Sequence, residues 1–201
     1  MKNILRKIID LTINIKVKFN PIILLISLVF NSLNYFSQNA TFRTIGSGSW
    51  GTSVGSPGSP WSIISGSDVD GIPDPTDTVE ILNSHTIDVL SSSNTSLAAL
   101  RLNNGGVLNL NPSYNLVFYN YGTTSIFNGT VNNGGTLWFA RGTNIEGTGT
   151  ITSADVLIQY YNTTLNSDLT FNGTIVLSAS GTLTISSTGN LILNGPIRTG
   201  N

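Results

Sequence analysis

The chain has 201 residues, 39% hydrophobic and only 9% charged, with no cysteine, one histidine and a formal net charge of −1. Those counts exclude a disulfide scaffold, a thiolate metal site and a multi-histidine metal centre. Charge is unevenly placed: Lys2, Arg6, Lys7, Lys16 and Lys18 against Asp10 give the first eighteen residues +4, whereas four arginines against nine acids after residue 40 give −5, too few cations for nucleic-acid binding.

Behind the basic start comes the apolar run Pro21–Phe30, and then the small polar residues Ser37-Gln-Asn-Ala40. A basic start, about ten apolar residues and a polar, small-residue end predict a signal peptide over residues 1–40, because a spanning helix needs about twenty apolar residues. Cleavage is expected near 37–41, with export across the inner membrane to the cell surface or beyond, so that the membrane is a partner only through this signal. The long region before Pro21 leaves an uncleaved N-terminal anchor as the alternative.

Residues 41–77 show no regular period. Ser47-Gly-Ser-Trp-Gly51, Ser56-Pro-Gly-Ser-Pro-Trp61 and Asp68-Val-Asp-Gly-Ile-Pro-Asp-Pro-Thr-Asp77 are turn-forming sequences with two tryptophans embedded. Terminal units of repeat proteins are atypical because they cover an otherwise open sheet end. This stretch therefore reads as an irregular N-terminal cap, plugged by Trp50 and Trp61.

From Thr78 onward apolar residues alternate with polar ones. Val79-Glu-Ile81 and Ile87-Asp-Val89 lie eight residues apart; Leu100-Arg-Leu102, Leu108-Asn-Leu110 and Leu116-Val-Phe118 continue the pattern. The register loosens through Ile126, Val131, Leu137-Trp-Phe139, Ile145, Ile151, Val156-Leu-Ile158 and Leu169-Thr-Phe171. It tightens again in three near-copies, Gly173-Thr-Ile-Val-Leu177, Gly181-Thr-Leu-Thr-Ile185 and Gly189-Asn-Leu-Ile-Leu193. Each phrase predicts one short strand with its apolar residues on one face. Units this small cannot bury that face alone, so copies must stack. Three strands per turn give a coil of about 20–24 residues and about five coils over 78–201. The predicted class is all-β, a right-handed parallel β-helix (solenoid). A β-sandwich of hairpins is the alternative, but it predicts two-residue Asn-Gly turns and unequal loops.

The run Trp61…Thr76-Asp-Thr-Val-Glu-Ile81…His85-Thr-Ile-Asp-Val89, with Leu100-Arg-Leu102 and Gly105-Gly-Val-Leu-Asn-Leu110, resembles the opening of secreted, cell-surface, adhesin-like β-helix proteins of Bacteroidota. The resemblance covers about residues 45–111. It implies the β-helix fold and export. Such proteins commonly finish with a type IX secretion sorting domain; none is visible before Arg198-Thr-Gly-Asn201, so the expectation is a chain truncated at its C-terminus.

Chemistry has few places to sit. Asp68, Asp70, Asp74 and Asp77 resemble half of a thrombospondin type-3 calcium repeat, in which alternate oxygens converge on one hard cation. Calcium is thus the candidate cofactor, against a turn-rich loop whose Asp and Pro residues serve backbone geometry. Glu80 and Asp88 are predicted to face outward as neighbours, the arrangement a glycosidase carboxylate pair needs, or else to solubilise an edge. His85 reads as a turn residue. Outward aromatics are more suggestive: Tyr119, Trp138 and Tyr160 are spaced 19 and 22 residues apart, with Tyr121, Tyr161 and Arg141 nearby. At one coil each they would form a ladder of rings fit for sugar faces, or a ladder that merely stabilises the solenoid. The Asn-x-Ser/Thr triplets at Asn94, Asn128, Asn162 and Asn172 arise from composition.

The leading expectation is an exported, non-catalytic, adhesin-like segment presenting outer-face residues to extracellular polysaccharide or to host or matrix glycans. The alternative is a carbohydrate-active β-helix lyase or hydrolase, or its substrate-binding portion.

Overall fold

The computed structural model describes residues 39–200, apart from 91–94, 121, 133, 153–154, 167, 179 and 187. The predicted signal peptide, Asn94 and Tyr121 lie outside the described residues. Everything described is strand, turn or loop, and the strands are two to five residues long. Such strands cannot persist alone; each gains its partners from the chain one coil away.

The path shows how. Thr78–Ile81 lies in a first sheet, Thr86–Val89 in a second and Thr95–Leu97 in a third, after which Ala99–Leu102 returns beside Thr78–Ile81 in parallel. Val79 pairs with Leu100, Ile87 with Leu108 and Leu97 with Phe118, each a step of 21 residues. Later steps range from 19, Leu137 to Val156, up to 25, Arg101 to Ile126. The result is an all-β parallel solenoid of about five turns, with sheets of eight, seven and six strands. The three near-copies near the end occupy three different sheets: Ile175–Ser178 in the third, Thr182–Ile185 in the first and Leu191–Leu193 in the second. Their eight-residue step is one strand and one corner.

Alternation places the core. Val79, Ile81, Ile87, Val89, Leu100, Leu102, Leu108 and Leu110 are buried, while the residues between them face out. Inside, each side chain lies over its counterpart in the next coil. Phe118 and Phe139, paired in register, stack with ring centroids 4.6 Å apart at 15°, and Phe127 meets both edge-on. Each such buried side chain contributes about 1.5–3 kcal/mol. Corners must be as tight as the strands are close. Cβ atoms on Gly129 and Gly149 would fall on the carbonyl oxygens of Gly106 and Gly129, one coil back. That column of glycines is what the sequence shows as Gly106-Val, Gly129-Thr and Gly149-Thr.

The stretch expected to be an irregular cap is partly ordered strand. Thr41–Thr44 already belongs to the first sheet, parallel to Thr78–Ile81, and Trp61–Ser65 pairs antiparallel along its outer edge. The tryptophan plug is as expected: Trp61 is 1% and Trp50 3% exposed, their rings meet at 5.4 Å and 76°, and the Trp61 indole N–H donates to the Trp50 carbonyl at 2.9 Å. At the other end Ile185 and Ile197, which pair with buried Leu165 and Ile175, are 47% and 52% exposed.

One inward position departs from the apolar pattern. Ser125 occupies the column between Leu100 and Ile145, fully buried, and its hydroxyl accepts the Leu100 N–H at 3.2 Å; Ile126 points outward instead. The loosened spacing had hidden that shift. Close by, Thr143 and Thr163 are also fully buried, and neither hydroxyl has a hydrogen-bond partner among the described residues. An unpaired buried hydroxyl costs about 1–3 kcal/mol, and valine has nearly the same shape. Thr143→Val and Thr163→Val are each expected to raise the unfolding free energy by about 1 kcal/mol in denaturant titrations; a loss of stability would show that the hydroxyls are satisfied.

Candidate functional site

Two clusters of chemistry stand out, and they lie on different parts of the solenoid. The first is the acidic loop before Thr78. Asp68, Asp74 and Asp77 each bring a carboxylate oxygen within 4.8 Å of the others; Asp70 is not in that group. Backbone geometry explains most of this convergence. Asp68 accepts the Gly71 N–H, Asp70 accepts the Ile72 N–H at 2.8 Å, and Asp74 accepts both the N–H and the hydroxyl of Thr76 at 2.9 Å. Asp77 is fully buried and accepts the Ala40 and Asp74 N–H groups, each at 2.8 Å. It thereby ties the start of the first sheet to the loop.

Two of these carboxyls, Asp68 and Asp77, are held above the usual carboxylate range. Burial is the largest influence on Asp77 and pushes its carboxyl up to about 6; the two N–H donors oppose this, and Asp74 and Asp68 add to it. Burial likewise raises Asp68, opposed by the Gly71 N–H and reinforced by Asp70 and Asp74. A cation is one way to relieve such crowding, although four of the six cluster oxygens already accept hydrogen bonds.

The predicted Glu80 and Asp88 pair is not assembled. Glu80 is in the first sheet, ion-paired to Arg43 at 2.7 Å and hydrogen-bonded by Asn103; Asp88 is in the second sheet, held by Asn109 at 2.7 Å. Burial raises the Glu80 carboxyl, but Arg43, Asn103 and Arg101 outweigh it and leave it below the usual range. His85 is a turn residue, its Nδ1 2.7 Å from the Thr44 hydroxyl.

The second cluster is a groove of about 580 Å³ along one margin of the third sheet, lined by Tyr119, Trp138, Ala140, Arg141, Gln159, Tyr160, Tyr161 and Ser180. All four predicted ligand residues, Tyr119, Trp138, Arg141 and Tyr160, are in it. They do not form the expected ladder, because the local register steps are 21 residues from Phe118 to Phe139 and 19 from Phe139 to Ile158, where the three aromatics are 19 and 22 apart. Trp138 pairs with Val117 and Leu157, each alternating with the inward residues of its strand, although Val117 is itself fully buried. Tyr119 and Tyr160 lie just beyond the strand ends Phe118 and Gln159. Continuing the ladder one residue past Phe118 and Phe139 sets Tyr119 beside Ala140, and the next coil brings Gln159. The small Ala140 between two large side chains leaves the floor of the groove open.

Tyr119 is 40%, Tyr160 55% and Tyr161 48% exposed. The Arg141 guanidinium carbon stands 5.7 Å from the Tyr119 ring centroid, a cation–π contact. Tyr160 holds φ of +68°, a left-handed backbone that costs a tyrosine of order 1 kcal/mol, and its carbonyl accepts the Ser180 hydroxyl at 3.0 Å. Beneath the walls, the Trp138 indole N–H and the Gln159 amide oxygen are buried without hydrogen-bond partners among the described residues. Strain and unsatisfied polar groups concentrated in one concavity are common at binding sites. Sequence reading missed Ala140, Gln159 and Ser180 as lining and named Tyr161 only beside the row; Gln159 carries no signal beyond ending the Val156-Leu-Ile158 strand.

No protein-family model, curated protein or solved structure matches this chain.

The raised Asp77 carboxyl makes a pH prediction. A group that binds its proton more tightly when folded contributes most below its unfolded value near 4, and that contribution is lost as pH rises through about 6. Tm is therefore expected to fall between pH 4 and 7 by an amount worth at most roughly 3 kcal/mol, and to be flatter there in Asp77→Asn. The depressed Glu80 acts only at lower pH, so the windows separate. A Tm gain in millimolar calcium above pH 6 would show that the same carboxylates take a cation.

Proposed function

We propose that this chain is an exported β-solenoid surface protein whose third-sheet groove binds glycan chains. The observation that carries the reading is the groove itself: an open concavity walled by Tyr119, Trp138, Tyr160 and Tyr161 and floored by Ala140 and Gln159. Aromatic faces match the C–H faces of pyranose rings, and the amide, phenol and guanidinium groups among them match sugar hydroxyls. A volume of about 580 Å³ accommodates a short saccharide.

A binding role is favoured over glycoside hydrolysis because none of the described lining residues is a carboxylate, so the carboxyl pair that such chemistry uses is missing from the walls. The outward carboxylates Glu80 and Asp88 belong to other sheets and are engaged by Arg43 and Asn109. Export rests on the basic and apolar segments of residues 1–40, and the adhesin-like role on the rigid stacked scaffold that displays the groove.

Glycan-array screening of the purified full chain tests the proposal. At least one saccharide class is expected to be retained, with Tyr119→Ala and Trp138→Ala each weakening binding about tenfold, a loss of roughly 1.4 kcal/mol. Tyr119 is partly exposed, so its variant is expected to keep the parent circular dichroism spectrum and Tm. Retention of no glycan, or unchanged affinity in both variants, rejects the reading.

A further inference from the structure

Resting on that groove as a saccharide site, we infer that its ligand is an anionic saccharide, bearing carboxylate or sulfate groups, recognised through Arg141. The inference begins with charge. The chain after residue 40 carries nine acids and four arginines, so its long-range field repels anions. Yet the one charged residue among those lining the groove is a cation, Arg141.

The arginines are not alike. Arg43 is committed to Glu80 at 2.7 Å, and Arg101 lies in register with Glu80 on the same outward row. Arg141 has no ion-pair partner among the described residues; its contact is with the Tyr119 ring. Stacking on an aromatic face orients a guanidinium plane while leaving its N–H donors outward, which is how arginine is presented to planar or tetrahedral oxyanions. Arg141 is also exposed, at the turn that follows the Thr136–Phe139 strand and precedes Gly142, whose φ is +48°. An exposed, oriented, unpaired guanidinium at the rim of an otherwise aromatic groove is not needed by the scaffold, because it neither caps a strand nor fills the core.

The remaining walls agree with this ligand. The Trp138 N–H and the Gln159 amide offer one donor and one acceptor without partners among the described residues, fit for a sugar hydroxyl once the overlying side chains adjust. The rings of Tyr119, Tyr160 and Tyr161 supply the apolar faces. The guanidinium adds a positive charge, which a neutral sugar would leave uncompensated.

Titration calorimetry on the full chain decides the matter with three probes: an oligogalacturonide carrying carboxylates, a carrageenan oligosaccharide carrying sulfates, and a neutral cello-oligosaccharide. One or both anionic probes are expected to bind about tenfold tighter than the neutral one, the worth of one charge-assisted hydrogen-bond pair. Arg141→Gln should erase that preference by weakening anionic binding about tenfold more than neutral binding, with the parent circular dichroism spectrum retained. Which anionic probe prevails identifies carboxylate or sulfate as the group recognised. Equal binding of neutral and anionic probes, or an Arg141→Gln variant that keeps the preference, overturns the inference while the saccharide groove stands. Binding of none of the three, with glycan-array retention also absent, overturns the groove reading itself.

Discussion

Hydrogen bonding between successive coils in fixed parallel register is the interaction on which the rest of this structure depends. A strand of four residues gains its partners from residues about twenty positions away, so coil length, inward alternation and corner geometry all have to agree from one coil to the next. A one-residue slip would turn a column of leucines to solvent. The chain answers with small adjustments. Steps lengthen to 25 residues where Ser125 takes an inward place, and a column of glycines keeps the corners close where any side chain would strike a carbonyl.

The same constraint explains why the two ends differ. Stacked columns must finish somewhere, and at the first coil Trp50, Trp61 and Phe42 close the interior while an antiparallel strand covers the sheet edge. Toward residue 200 the inward residues Ile185 and Ile197 remain half exposed in the described structure. Asp77 adds a polar fastening at the capped end. A buried carboxylate accepting two backbone N–H groups fixes where the lead-in meets the first sheet, and the pH sensitivity of that junction follows from its burial.

Legibility followed from how local each signal is. The solenoid could be read because alternation and eight-residue spacing are visible within ten residues, and Val79, Ile81, Ile87 and Val89 face inward as their pattern dictates. The tryptophan plug was legible because two large apolar rings in a turn-rich lead-in have little else to do. The strand character of Thr41–Thr44 was not, since it depends on pairing with residues 37 positions later. At the groove, the residue types were visible but not their arrangement. Tyr119, Trp138 and Tyr160 are a coil apart by count, yet register places Trp138 between Val117 and Leu157, and only the corner at Tyr160 gathers the rings around Ala140. Gln159 had no mark at all, because its part in the groove comes from what lies above and below it.

Coils that repeat in register also divide the molecule into discrete increments. The groove spans consecutive strands of the third sheet, several coils from the tryptophan cap, and each coil advances the structure by one strand spacing of about 4.8 Å. Insertion or loss of one whole coil of 21 residues between Ile81 and Leu116 would therefore carry the groove farther from or nearer to the cap by that single increment, without altering a wall residue. Reach and wall shape are independent variables in this architecture: the number of coils sets how far the groove is held from the capped end, and the corner at Tyr160 sets how its walls are arranged.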